Sequence, residues 1–191
     1  MNVLAIPGSL RRSSFNRALL LNAAELAPEG VDVRLFEDLK LVPPFDEDDE
    51  TVERLPTVVA DLRASVAGAD ALLIATPEYN SSIPGQLKNA IDWVSRPAGS
   101  GAIRGKPVAV VGASTGAFGA VWAQAELRKV LGAAGARVIE GDLAVGHAAE
   151  RFDERERLTD EELRATLGEL LDALVAEARV DLERGAPALA A

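Results

Sequence analysis

Val3-Leu4-Ala5-Ile6-Pro7-Gly8-Ser9-Leu10-Arg11-Arg12-Ser13-Ser14-Phe15-Asn16 is the stretch whose reading decides the fold. An apolar run of strand length passes through a glycine into a cluster of hydroxyl and amide residues, where a helical pattern begins. The same alternation recurs downstream. Strand-like runs at Val31–Phe36, Ala71–Thr76, Val108–Gly112 and Arg137–Glu140 are separated by helical patterns at about residues 15–27, 56–67, 85–95, 119–134 and 160–181. That order predicts an α/β fold on a parallel sheet. Ala71-Leu72-Leu73-Ile74-Ala75 and Val108-Ala109-Val110-Val111 are continuously apolar, so these strands should be covered by helices on both faces.

The last helix is the most regular, with Leu163, Leu167, Leu170, Leu171, Leu174, Val175 and Ala178 on one stripe. Thr159 and Glu162 have the spacing of a capping box, and the helix reads as a lid on the sheet. Pro43, Pro44, Pro56 and the acidic run Asp46–Glu50 make Glu37–Pro56 an irregular, solvated excursion. The chain reads as one domain over residues 1–184, with a flexible tail at 185–191 that contains Gly185-Ala186-Pro187. At 191 residues, 48% hydrophobic, one sizeable core suffices.

Charge and composition exclude several classes of function. A net charge of −10 gives no general footprint for nucleic acid or an anionic membrane, so an anion must be held locally. Without cysteine there is no disulfide, thiolate nucleophile or iron–sulfur ligation, and redox chemistry would need a cofactor. With His147 as the single histidine, no metal cluster of ordinary ligand spacing is present, and the expectation is no metal. His147 falls in a loop after the last strand, where exposure or a structural hydrogen bond outweighs catalysis. No signal peptide or membrane span is recognisable, so the expectation is a soluble cytoplasmic protein.

In a doubly wound sheet, ligands sit at the carboxyl ends of the strands where the strand order switches. Three loops there have unusual sequences. Pro7–Asn16 offers a glycine turn, the polar groups of Ser9, Ser13, Ser14 and Asn16, a helix N-terminus, and Arg11 or Arg12 as countercharge. That is a phosphate cradle in physical terms, although the same residues suit a plain turn with an N-cap. It matches neither the NTPase P-loop nor the Rossmann fingerprint. Thr76–Pro84 is stiffened by prolines and presents Glu78, Tyr79 and Asn80. Tyr79 offers a flat face to an aromatic ring, or packs inward as a core residue. Ala113–Gly119 leads into another helix, whose first N–H groups can meet negative charge, and again a simple turn is the alternative.

These residues together resemble the NADPH-dependent FMN reductases. The resemblance runs from Val3 to about Val175. It is carried by Gly8-Ser9-Leu10-Arg11 with Ser14 and Asn16, by Thr76-Pro77-Glu78-Tyr79-Asn80, by Pro84-Gly85-Gln86-Leu87-Lys88-Asn89-Ala90-Ile91-Asp92-Trp93, by Gly105-Lys106-Pro107, and by Ser114, Gly116 and Gly119. It implies a flavodoxin-like three-layer sandwich whose five-stranded parallel sheet has the order 2-1-3-4-5, with helices on both faces. It implies noncovalent FMN, with Ser9, Arg11, Ser14 and Asn16 at the phosphate. Pro77, Glu78, Tyr79 and Asn80 would lie along the ribityl chain and isoalloxazine, and Ser114 and Gly116 at the pyrimidine edge. Leu87, Ile91 and Trp93 would pack, while Lys88, Asn89 and Asp92 secure the loop. Arg12-Ser13 and Ala117-Phe118 depart from the family pattern.

The implied activity is hydride transfer from NADPH or NADH to flavin N5 and on to a small acceptor such as a flavin, quinone, azo compound or chromate. No catalytic side chain is assigned, because the cofactor performs the redox step. A homodimer or homotetramer is implied, and a flavin-dependent monooxygenase is a conceivable partner. Two alternatives stand beside this reading: a flavodoxin-type electron carrier without its own NAD(P)H oxidation, and a cofactor-free α/β binding domain.

Overall fold

Alternation of side chains along each strand divides the interior into two halves, one on each face of the sheet. A computed structural model describes residues 1–51 and 53–183. The tail expected at 185–191 lies outside the described residues. In chain order the elements are β1 (Asn2–Pro7), α1 (Phe15–Glu25), β2 (Asp32–Leu35), α2 (Thr57–Gly68), β3 (Ala71–Thr76), α3 (Gly85–Val94), β4 (Pro107–Ala113), α4 (Val121–Ala133), β5 (Arg137–Val138), β6 (Ala144–Val145), α5 (Ala148–Arg151) and α6 (Glu161–Glu183). The strands pair in parallel in the order β2-β1-β3-β4-β5, as the resemblance implies. Leu4, Ile6, Leu72, Ile74, Val108 and Val110 face one half of the core with α2, α3 and α4. Val3, Ala5, Leu73, Ala75, Ala109 and Val111 face the other with α1 and α6. Every residue of β3 and β4 is buried, the consequence expected of their unbroken apolar sequence.

Three expectations need correction. The fifth strand does not run from Arg137 to Glu140. It ends at Val138, and a separate strand, β6, pairs with the far end of β4 through Gly112↔Ala144 and Ala113↔Val145. Gly141, at φ +121°, and the Arg128 guanidinium hold the break between them. Arg128 donates to the carbonyls of Ile139 (2.9 Å) and Gly141 and meets Asp142 at 3.1 Å. α6 is capped by Asp160 and not by Thr159: the Asp160 carboxylate accepts from the N–H groups of Glu162 and Leu163, both at 3.1 Å. The Thr159 hydroxyl donates instead to the Arg151 carbonyl.

The first half of the Glu37–Pro56 excursion is not a solvated loop. Glu37–Leu41 forms a short 3-10 helix, and Leu39 and Val42 are buried in the core. α3 clasps this segment. Gln86 donates to the carbonyls of Leu39 and Val42, and Asn89 bonds both Phe45 N–H and the Pro43 carbonyl, which also accepts from the Trp93 indole. So Asn89 secures a different loop from the one expected, while Lys88 and Asp92 pair with each other at 2.7 Å. Further on, Asp46, Glu47 and Asp48 are exposed as the charge run suggests. Gly105-Lys106-Pro107 is structural. The Lys106 ammonium, its pKa lowered by burial, donates to the carbonyls of Ala67, in the last turn of α2, and of Ala69, just beyond it.

Candidate active site

The loops after β1, β3 and β4 meet at one edge of the sheet, and two side chains tie them together. In the first loop Gly8 sits where no side chain fits: a Cβ there would lie 2.8 Å from Leu87 Cδ2 and 3.0 Å from the Ala75 carbonyl. The Gly8 N–H donates to that same carbonyl at 2.8 Å, which sets the turn against β3. Ser9 and Ser14 are buried, and Arg11 and Arg12 are exposed. The Ser14 hydroxyl caps α1, accepting from Arg17 N–H at 3.4 Å. The N–H groups of Phe15 and Asn16, at the first turn of α1, find no acceptor among the described residues. Such a turn, with buried hydroxyls and an arginine beside it, is suited to a phosphate.

The Asn16 side chain does something the sequence did not suggest. Its Nδ2 donates to the Ala113 carbonyl at 2.9 Å, and Ala113 N–H donates to its Oδ1 at 2.9 Å. Both ends of the amide are therefore engaged with the end of β4, and the residue pins the first loop to the third.

In the second loop, Tyr79 and Ser82 exchange two backbone hydrogen bonds around Asn80 and Ser81, both at positive φ (54° and 60°). This is a type I′ turn, and it holds Tyr79 half exposed (50%) instead of packed inward. Glu78 reaches across to the third loop, where one carboxylate oxygen accepts from the N–H groups of Trp122 (3.1 Å) and Ala123 (3.2 Å) and caps α4.

That cap overturns the expectation that the start of α4 presents free N–H groups. Val121 N–H also has an acceptor, the Phe118 carbonyl. The loop amides of Thr115 and Gly116 instead donate to nothing among the described residues. Gly119 and Gly146 are required by close packing: a Cβ would lie 2.4 Å from the Ala144 carbonyl carbon at the first and 2.2 Å from the Ala117 carbonyl oxygen at the second. Ser114 is joined by its N–H to Val145 and by its carbonyl to Ala148. His147 is exposed, and its N–H donates to the Gly116 carbonyl at 2.9 Å.

The sequence marked Phe118 only as a departure from the family pattern, and it missed Trp122. Phe118 (64% exposed) and Trp122 (50%) pack edge to face at 4.9 Å beside the Glu78 cap. With Tyr79 they give the edge an exposed apolar surface. The only sequence signal for Trp122 was its position at the start of a helix that follows a glycine-rich loop.

Comparisons with known proteins show the family and the fold. The family model described as NADPH-dependent FMN reductase matches residues 1–150. The chain is 41% identical to an NAD(P)H-dependent FMN reductase of Pseudomonas aeruginosa, over 91% of this chain and 93% of that protein. It is 37% identical to a 2-hydroxy-1,4-benzoquinone reductase of a Burkholderia species, over 94% and 97%. The solved structure of FerB, a flavoenzyme NAD(P)H:(acceptor) oxidoreductase from Paracoccus denitrificans, superposes with a TM-score of 0.82 at 34% identity, covering 94% of this chain and 97% of that one.

Proposed function

The chain belongs to the NADPH-dependent FMN reductase family, and from that premise we propose that the β1, β3 and β4 loops together hold one FMN. The protein is an NAD(P)H-dependent FMN or quinone reductase. When bound, FMN supplies the redox step, accepting hydride from the nicotinamide nucleotide and passing reducing equivalents to a small acceptor. What the chain contributes is position and electrostatics.

The observation that carries the proposal is the first turn of α1, with N–H groups lacking an acceptor beside buried Ser9 and Ser14 and exposed Arg11. Ser9, Arg11 and Ser14 would hold the phosphate there. Asn16 would act through Ala113, keeping the phosphate end and the ring end at a fixed spacing. Pro77, Glu78, Tyr79 and Asn80 would border the ribityl chain and ring, with Glu78 fixing the gap between the second and third loops. Ser114, Gly116 and the free loop amides would meet the polar edge of the ring. Phe118 and Trp122 would shield the site from water and give a planar acceptor a surface to lie against.

The acceptor is proposed to be a quinone or a free flavin, with azo compounds and chromate as further candidates and a flavin-dependent monooxygenase as a conceivable partner. A homodimer or homotetramer in the cytoplasm is proposed as well. The exposed Tyr79, Phe118 and Trp122 support a subunit contact beside the site. Among the described residues no helix is long and apolar enough to cross a membrane.

Anaerobic stopped-flow mixing with NADPH should bleach the flavin, and a flavin that stays oxidised would indicate the electron-carrier alternative. The phosphate assignment has its own test. Arg11→Ala combined with Ser14→Asp keeps a helix cap but places a negative charge where the phosphate would sit. The variant should retain its fold by circular dichroism and emerge from purification without flavin; normal flavin occupancy would overturn the assignment.

A further inference from the structure

Two polar side chains of α4 that face β4 carry buried atoms the fold leaves unpaired. Gln124 is 3% exposed; its Nε2 donates to the Gly119 carbonyl at 3.1 Å, and its Oε1 has no partner among the described residues. The carbonyl can only accept, which fixes Nε2 toward it and turns Oε1 away. Four residues on, Arg128 bonds through its two terminal nitrogens to the carbonyls of Ile139 (2.9 Å), Val110 (3.3 Å) and Gly141, while its Nε is buried without an acceptor. An orphan acceptor and an orphan donor thus stand on consecutive turns of one helix face.

Both side chains lie against β4. Gln124 Nε2 is 2.7 Å from where a Cβ on Gly112 would sit, and Arg128 reaches Val110, two residues earlier. One water between them would accept from Arg128 Nε and donate to Gln124 Oε1, satisfying both. What the pair holds is the seat of the third loop. Gln124 fixes Gly119, where that loop ends, and Arg128 fixes Gly141, just before β6. β6 and the residues after it back the loop in turn: Ser114 N–H donates to the Val145 carbonyl, and His147 and Ala148 N–H donate to the carbonyls of Gly116 and Ser114. Thr115 and Gly116, with their free amides, lie between these supports.

We propose that Gln124 and Arg128, joined by a buried water, are positioning residues that aim the Thr115 and Gly116 amides at the flavin ring without touching it. The proposal rests on the FMN reading above, in which those amides meet the polar edge of the ring. That edge carries more negative charge in reduced FMN than in oxidised FMN. Well-aimed N–H groups therefore favour the reduced form and raise the midpoint potential of the bound flavin. The underside of α4 sets how readily the cofactor is reduced, while the phosphate loop sets whether it stays bound.

The test is a redox titration of the flavin-loaded enzyme and of Gln124→Met, which keeps the length of the side chain and removes both polar atoms. Affinity for reduced FMN should fall about tenfold, the loss expected for one misaimed hydrogen bond to a charged group, while affinity for oxidised FMN stays within about twofold. For a two-electron couple that ratio is a midpoint potential ~30 mV more negative. Arg128→Lys keeps the charge but has no Nε donor, so its potential should move in the same direction by less, and it carries the test alone if Gln124→Met does not fold. A crystal structure of the wild type should show the water between Gln124 Oε1 and Arg128 Nε. An unchanged potential with a lowered Tm, or equal losses for the two forms of FMN, would overturn the proposal, and so would a dry gap between the two atoms. Failure of the FMN reading looks different, because the wild-type protein would then bind FMN in neither form.

Discussion

On its β3 side the Pro7–Asn16 loop is tied into the sheet edge by hydrogen bonds, and on its β2 side its cations stand untied over a cleft. Asn16 joins it to β4 and Gly8 seats it on β3, while Glu78 links the two loops beyond. The opposite flank has a single ion pair, Arg17–Glu37, and otherwise relies on exposed charge. A flank built from buried hydrogen bonds is set before any ligand arrives and loses much when one partner is removed. A flank of exposed cations adds little to folding and acts on whatever anion approaches, with a strength that salt reduces.

The comparison breaks most severely at Asn16. Asn16→Leu leaves Ala113 with an unpaired N–H and carbonyl in a buried position, at about 1–3 kcal/mol for each. Thermal unfolding should show a drop in Tm of several degrees, and flavin retention should fall although Arg11 and Ser14 are intact. An unchanged Tm would mean that the two loops are not coupled through this amide.

Next in size is Glu78→Ala, which removes the cap of α4 at a cost of about 1 kcal/mol. Turnover with a quinone acceptor should decline more than flavin binding does, since the gap between the second and third loops is what changes. Equal declines would place Glu78 at the cofactor instead of between the loops.

The smallest effect is expected at Asp153, away from both flanks, where backbone N–H groups of Arg157 and Arg155 hold the carboxyl below its ordinary 3.8. A depressed carboxyl stabilises the fold above the unfolded value and loses that contribution as pH falls through the folded one. Wild type and Asp153→Asn should differ slightly in Tm at neutral pH and converge in acid, with KM for NADPH the same in both. A change in that KM would show that a charge far from the three loops acts on the nucleotide.

Most of the sheet was legible because buried parallel strands are continuous apolar runs, and β3 matches its expected bounds at Ala71–Thr76. β5 and β6 were not, since two-residue strands joined by Gly141 and held by Arg128 have no pattern long enough to read. The site residues were gathered from their loops, but their individual roles were not. Asn16 and Glu78 look like ligand-facing groups in sequence because an amide or a carboxylate in a polar loop gives no sign of a backbone partner 97 or 44 residues away.

By itself, then, the amino-acid sequence determined the strand–helix alternation, the three polar loops at one edge and the family they resemble, because hydrophobic period and turn chemistry are local properties. The tertiary structure alone decided that Asn16 and Glu78 are cross-ties, that Phe118 and Trp122 surface beside Tyr79, and that Arg12 and Lys40 share a cleft. Those relations join residues on different loops, and only the strand order β2-β1-β3-β4 brings them together.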